Sequence, residues 1–382
     1  MDLTFEPQHD EFRQEVRAFI ARELTEAIYA DLSKEDESYS PIFHKKLAAA
    51  GYVGMQWPEK LGGRGRSNVD MAIFYEEMNY ALAPLGAYTG SVVFVGQSIA
   101  TYGNNEQRAR FLPRIAAGEV TCCWCLSEPE AGSDLMNLQL RAVPAGGAYR
   151  LSGQKIFTSG AHRSDMALVA TRTQPDKVGT RDGVSLFVVD MRSPGITIRP
   201  LWSMAGWRVN QCFFDNVEAP AENLLGRKDT GWNHILTTLG FERSAIGKVG
   251  FLMRGYDIMH RKVMTSPPAA GSRVPHRLAQ LRAEILTCRW MNYQIAWRQD
   301  QGEDLFWEAS LSKLATSELI YEMSDLGMEV DGLAGLRRSN SHGAEGLFEK
   351  TYRTIPFYLI GGGTPEIQRN AIAMRGLNLP KR

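Results

Sequence analysis

Hydrophobic periodicity changes twice along this chain, and that change limits the fold more than any other feature. Up to about residue 120 the apolar residues recur with helical spacing. Phe12, Val16, Phe19 and Ile20 lie three or four residues apart, with charged residues between them. After a Gly-rich break at Trp57-Pro58-Glu59-Lys60-Leu61-Gly62-Gly63, residues 70–82 read as helix again, and Gly118 closes the block. Between 121 and 230 the texture is β-rich. Short runs at 149–151, 166–170, 185–190, 196–199 and 211–214 alternate with Gly, Pro, Asp and Asn turns, as in a small antiparallel sheet or barrel. From Gly231 the helical period returns over 234–264, 277–298 and 305–329. Residues 266–275 carry Pro267, Pro268 and Gly271 and must be a loop, and Gly361-Gly362-Gly363-Thr364 opens a last helix. The expected class is α+β: a helical domain over 1–120, a middle antiparallel β domain over 121–230 and a helical domain over 231–382.

A chain of 382 residues exceeds what one core usually covers, which agrees with several lobes. Lys+Arg and Asp+Glu are equal at 43 each, so there is no basic footprint for nucleic acid. An anionic ligand must be held by local groups instead. No window is apolar for long enough to span a bilayer. The start, MDLTFEPQHDEF, is acidic and mixed, with no signal or transit pattern, so a cytoplasmic location is expected. The five cysteines Cys122, Cys123, Cys125, Cys212 and Cys288 are odd in number and form no disulfide framework. The Cys122-Cys123-x-Cys125 run lacks a second ligand pair, so it reads as a buried strand using Cys as a small hydrophobe, and no metal is expected.

Four segments are more specific. They are Trp124-Cys125-Leu126-Ser127-Glu128-Pro129-Glu130-Ala131-Gly132-Ser133-Asp134-Leu135, Gly153-Gln154-Lys155-Ile156-Phe157-Thr158-Ser159-Gly160-Ala161, the stretch from Met204-Ala205-Gly206 to Asn223-Leu224-Leu225-Gly226, and Gly363-Thr364-Pro365-Glu366-Ile367-Gln368-Arg369. Their order and content resemble the acyl-CoA dehydrogenase family, from Trp57 to Arg369. The resemblance implies a helical domain, a β domain and a C-terminal four-helix bundle. It implies FAD as cofactor and an acyl-CoA as substrate, oxidised to a trans-2-enoyl-CoA. It sets the backbone of Leu126 and Ser127 at the pyrimidine side of the flavin, Thr158 and Ser159 near N5, and Phe157 on the ring where the family usually has Trp. It sets Ser133 toward the phosphates or the acyl-CoA, and Thr364 and Glu366 toward the cofactor; in a self-sufficient homo-oligomer, Arg273 or Arg261 would stand in for a missing cofactor contact. Taken singly, Ser127 and Ser133 read as turn caps and Phe157 as core; the flanking motifs favour flavin contact.

One departure concerns the base. Most of the family carries a Glu immediately before the Gly-Thr of the last signature, and here that position is Gly362. Some members, among them isovaleryl-type dehydrogenases, carry it on a helix before an Arg, which matches Glu242-Arg243 in Leu239-Gly240-Phe241-Glu242-Arg243. Glu242 is therefore the expected base, Arg243 a support for the substrate or the local helix, and the Gly362 N–H a donor to the thioester oxygen. A solvated helix carboxylate is the ordinary reading of any Glu. Trp202, Trp207, Trp232 and Tyr256 are candidate pocket residues, though each reads equally as ordinary core or surface.

A second departure concerns partners. The family's Arg-x-x-Phe-Gly and Gln-x-x-Gly-Gly runs, which hold a neighbour's adenine, are absent from 265–273 and 328–335. The chain is expected to form either a homo-oligomer or an α2β2 heterotetramer with a homologous subunit, and to pass electrons to an electron-transfer flavoprotein. Two other readings share the fold: an oxygen-using flavin oxidase or monooxygenase, and a non-catalytic subunit.

Overall fold

The computed structural model describes residues 5–32, 38–240, 248–303, 305–338 and 346–380 in full, and 241–245 as helical backbone. The chain packs into two compact units that do not follow chain order. One comprises Met1–Tyr29, Ser67–Ala83 and Gly240–Arg382; the other comprises Ala30–Arg66 and Pro84–Leu239.

The first unit is helical. Ser67 caps the helix Asn68–Tyr80 by accepting from the Asp70 N–H, and Pro sits in the first turn of Pro7–Glu23 and of Val274–Asp300. Val249–Thr265, Val274–Asp300, Phe306–Asp331 and Leu347–Ile360 enclose a core of Leu252, Met259, Leu281, Ile285, Met323 and Phe348. Gly250 lets two helices meet backbone to backbone, because a Cβ there would lie 1.9 Å from the Glu76 carbonyl oxygen. Buried charges fasten the amino-terminal helix to this bundle. Arg13 donates to Glu76 at 2.8 Å and to the Tyr293 hydroxyl at 2.7 Å, and Arg289 donates twice to Glu76. Burial works against the Glu76 carboxylate, yet Arg289 and Arg13 hold its pKa below the ordinary carboxylate range.

The second unit contains the sheet. Its strands are β1 (Cys122–Cys125), β2 (Arg141–Ala145), β3 (Ala148–Ser159), β4 (Met166–Arg172), β5 (Val184–Asp190), β6 (Ile196–Trp202), β7 (Arg208–Pro220) and β8 (Leu224–Leu225). The order is β6-β7-β3-β2-β4-β5-β8, with β1 added on β4. Most pairs are antiparallel as expected, but β1 runs parallel to β4, so the sheet is mixed. The β2–β3 hairpin lies between β1 and β4 in the chain and supplies the return that a parallel pair requires. All seven residues of β4 are buried, which accounts for their apolar run.

Several sequence expectations are met in detail. Cys122, Cys123 and Cys125 lie buried and free in β1. Gly118 takes φ +66 just past the helix Asn105–Ala116, the left-handed stop that favours glycine. Others shift. The periodic stretch 234–264 is two helices, Gly231–Ala245 and Val249–Thr265, not one. The loop over 266–275 ends earlier than expected, because Pro275 belongs to the first turn of the next helix. Among the described residues no helix is long and apolar enough to cross a membrane.

His44 supplies a test of the second unit's packing. Its ring is 3 % exposed, and neither nitrogen has a hydrogen-bond partner among the described residues. Burial, aided by the Arg163 charge, pulls its pKa from 6.5 down to about 4. Between those values the unfolded chain binds more protons, so stability present above pH 6.5 is lost as pH falls toward 4, by ~1.4 kcal/mol per unit. Urea midpoints measured across this window should fall less steeply for His44→Leu than for the parent chain; equal slopes would contradict the assignment.

Candidate active site

In the second unit, the first and second motif segments are locked together from beneath. Lys155 on β3 is fully buried, and its Nζ lies 2.7 Å from Glu128 Oε1 and 2.9 Å from the Leu126 carbonyl oxygen. Glu128 also accepts from the backbone N–H groups of Leu140 at 3.0 Å and Gln139 at 2.6 Å. The Ile156 N–H donates to the Ser127 carbonyl at 2.9 Å. Burial lowers the Lys155 pKa, and Glu128 opposes that fall. A second buried cation, Arg172, donates to the carbonyl oxygens of Met136, Leu138, Thr180 and Asp182, and so ties the loop after the first motif to the β4–β5 connection.

Above this ion pair β3 is irregular. Its register with β7 shifts between Lys155 and Thr158, and Phe157 within the shift has φ +58. The left-handed region is uncommon for a bulky residue, and such strain collects at functional sites. Phe157 is also 64 % exposed, so it is not the core residue that its type suggests. Thr158 is buried, with its hydroxyl 3.9 Å from Cys125 Sγ and its carbonyl accepting from Asn210 Nδ2 at 2.9 Å; Ser159 is exposed. Leu126 and Ser127 are half-buried and Ser133 is exposed. Trp124 Nε1, on β1 at the start of the first motif, is buried without a partner among the described residues. An exposed aromatic face, an exposed hydroxyl and an orphaned N–H along one motif pair fit the needs of an isoalloxazine ring.

In the first unit, the last signature forms a turn made of backbone. Gly362 and Gly363 have φ +71 and +102, conformations natural only to glycine. Lys313 Nζ donates at 2.7 Å to the carbonyls of both Leu359 and Gly363. The fully buried Gln368 donates to the carbonyls of Gly362 at 2.9 Å and Gly363 at 3.1 Å. Thr364 caps the helix Pro365–Ala371, accepting from the Ile367 N–H. Glu366 is exposed, and its own backbone N–H and the Thr364 hydroxyl hold its pKa below the ordinary range. Arg273 is exposed at the start of Val274–Asp300. The Glu242 and Arg243 side chains lie outside the described residues; their backbone belongs to the helix Gly231–Ala245. Trp202 is 55 % exposed, and Tyr256 stacks on His260, with Arg282 over its ring. Lys155 and Gln368 stand inside motifs whose sequence shows no role for them, and nothing in the sequence around Lys313 or Asn210 marks either residue.

Comparisons with known proteins identify the family. Models of the acyl-CoA dehydrogenase N-terminal, middle and C-terminal domains match residues 6–119, 123–217 and 229–377. Acyl-CoA dehydrogenase FadE26 of Mycobacterium tuberculosis is 32 % identical over 399 residues, spanning 100 % of this chain and 99 % of the relative. IpdE1 of the same organism is 31 % identical over 388 residues, spanning 97 % and 98 %. Among solved structures, a steroid acyl-CoA dehydrogenase, Tcur3481-Tcur3483, aligns with TM-score 0.90 at 28 % identity, and the ChsE4-ChsE5 complex of Mycobacterium tuberculosis with TM-score 0.88 at 32 %. Each covers 100 % of both chains. The chain belongs to the acyl-CoA dehydrogenase family, whose members depend on flavin. It is an oxidoreductase of the acyl-CoA dehydrogenase class.

The buried ion pair predicts a stability signature. Lys155→Met alone leaves Glu128 buried and unpaired, at a cost of about 3–5 kcal/mol in chemical denaturation. Adding Glu128→Leu to it should recover part of that loss. A double variant less stable than the single one would contradict the pairing.

Proposed function

We propose that this chain removes the α and β hydrogens of an acyl-CoA, with FAD as cofactor and Glu242 as the base, to give a trans-2-enoyl-CoA. The observation that carries the reading is Phe157, exposed and held at positive φ in the β-bulge of the second matching motif. The residues that would hold FAD are Leu126, Ser127, Ser133, Phe157, Thr158, Ser159, Thr364 and Glu366; Arg273 would join them only in a homo-oligomer. Bound FAD supplies the two-electron acceptor that takes the β hydrogen as hydride. Glu242 accepts the α proton, and Arg243 supports the substrate. The Gly362 N–H donates to the thioester oxygen as negative charge builds on it. Gly362 has no side chain to compete with a base arriving from elsewhere. Its φ of +71 also disfavours the family's usual Glu at that place. An electron-transfer flavoprotein is the proposed acceptor of the electrons.

The proposed assembly is an α2β2 heterotetramer with a homologous subunit that supplies the adenine-side contacts missing from 265–273 and 328–335. The ChsE4-ChsE5 complex supports this, and the steroid dehydrogenase Tcur3481-Tcur3483 supports a bulky, steroid-like acyl group as substrate.

Glu242→Gln should lower turnover by about 10²–10⁴-fold with flavin content unchanged, the range typical for loss of a positioned base. Gly362→Glu in that background should not restore it. Steady-state assays with an acyl-CoA panel check both, and full turnover by Glu242→Gln would remove the assigned base.

A further inference from the structure

The buried ammonium of Lys155 touches more than its carboxylate partner. Its second contact, at 2.9 Å, is the carbonyl oxygen of Leu126. That carbonyl belongs to the same peptide unit as the Ser127 N–H. A charged donor on a carbonyl in a low-dielectric interior polarises the whole amide and strengthens its N–H as a donor. Lys155 is fully buried, so water screens little of this effect. The local charge count adds to it. Lys155 and Arg172 are both buried cations, and Glu128 is the acidic group that interacts with both. In this buried group of three side chains two cations face one anion.

We propose that Lys155 is a positioning residue that, through the Leu126–Ser127 peptide, makes the Ser127 N–H a stronger donor to the reduced than to the oxidised flavin. This rests on the FAD reading above, with Ser127 at the pyrimidine side. Two-electron reduction with uptake of one proton leaves negative charge on that side of the ring, and charge placed near it tunes the cofactor. Lys155 thus favours the reduced form and helps draw electrons from the thioester. Its role differs from that of Glu242, which handles a proton, and from that of Phe157, which meets the ring itself.

The test is the flavin midpoint potential of the purified holoenzyme, with its partner subunit where one copurifies, measured by equilibration with reference dyes. Two chains are compared with the parent. Lys155→Met combined with Glu128→Gln removes both charges and spares the fold an unpaired carboxylate. It should weaken binding of reduced relative to oxidised flavin about tenfold, a shift of about 30 mV to more negative potential. Glu128→Gln alone leaves Lys155 on the Leu126 carbonyl without its opposing anion, and should move the potential the other way. A loosened site would shift both variants in one direction, so opposite signs support the proposal. Shifts of the same sign, or none, overturn it. Flavin content is read first: a parent holoenzyme without flavin removes the FAD reading itself, and the Lys155 role with it. A loaded parent whose variants keep its potential overturns the Lys155 role alone.

Discussion

The ion pair between Lys155 and Glu128 is the interaction on which the β unit's candidate site depends. It joins two segments that are far apart in sequence, one on the loop after β1 and one on β3. Burying two charges is costly, and only close geometry with full hydrogen bonding offsets that cost. Here Glu128 accepts two backbone N–H groups besides the ammonium, and Lys155 donates to a carbonyl besides the carboxylate. Such a pair adds little net stability compared with well-packed apolar residues. It does fix one arrangement of the Leu126–Ser127 backbone against β3. The strained bulge at Phe157 then sits directly beside a rigid anchor, where strain can persist because the surroundings over-determine it.

The helical unit solves a related problem without side chains at the turn itself. Three consecutive glycines are conformationally loose, and a loose turn cannot aim an N–H. Lys313 and Gln368 supply four hydrogen bonds to the carbonyls of Leu359, Gly362 and Gly363, and so hold the turn from outside. The ammonium of Lys313 also lies at the carboxyl end of the helix Leu347–Ile360, where the helix dipole favours a cation. In both units a buried polar side chain holds main chain in place, and the main chain is then the group assigned to the ligand.

Much of this was legible in sequence, and the exceptions have physical causes. The alternation of textures marked the helical and β regions, and Gly118 and the β1 cysteines behaved as their chemistry suggests. The motif spacing pointed to the correct family. The parallel β1–β4 pair was invisible because pairing partners 44 residues apart leave no local signal. The break between Gly231–Ala245 and Val249–Thr265 carries no proline, only Gly247 in an apolar stretch. The helix Leu347–Ile360 was not read because its Thr, Tyr and Ile content, with Pro356 inside, is poor helix material that tertiary packing overrides. Lys155 was quoted in its motif yet given no role, since a lysine on a strand ordinarily points to water. The positive φ at Phe157 had no signal at all, because a bulky residue is the last one expected there.

Acyl-CoA dehydrogenation at this site requires that the flavin of the purified protein be reduced by an acyl-CoA. The decisive measurement is the visible spectrum of the holoenzyme during anaerobic addition of acyl-CoA thioesters, including a steroid-like side chain. Bleaching of the flavin absorbance, with enoyl-CoA formed in equal amount, is the predicted result. A protein that carries flavin but keeps its oxidised spectrum with every thioester, while dithionite still bleaches it, would contradict the assignment of this site to acyl-CoA dehydrogenation.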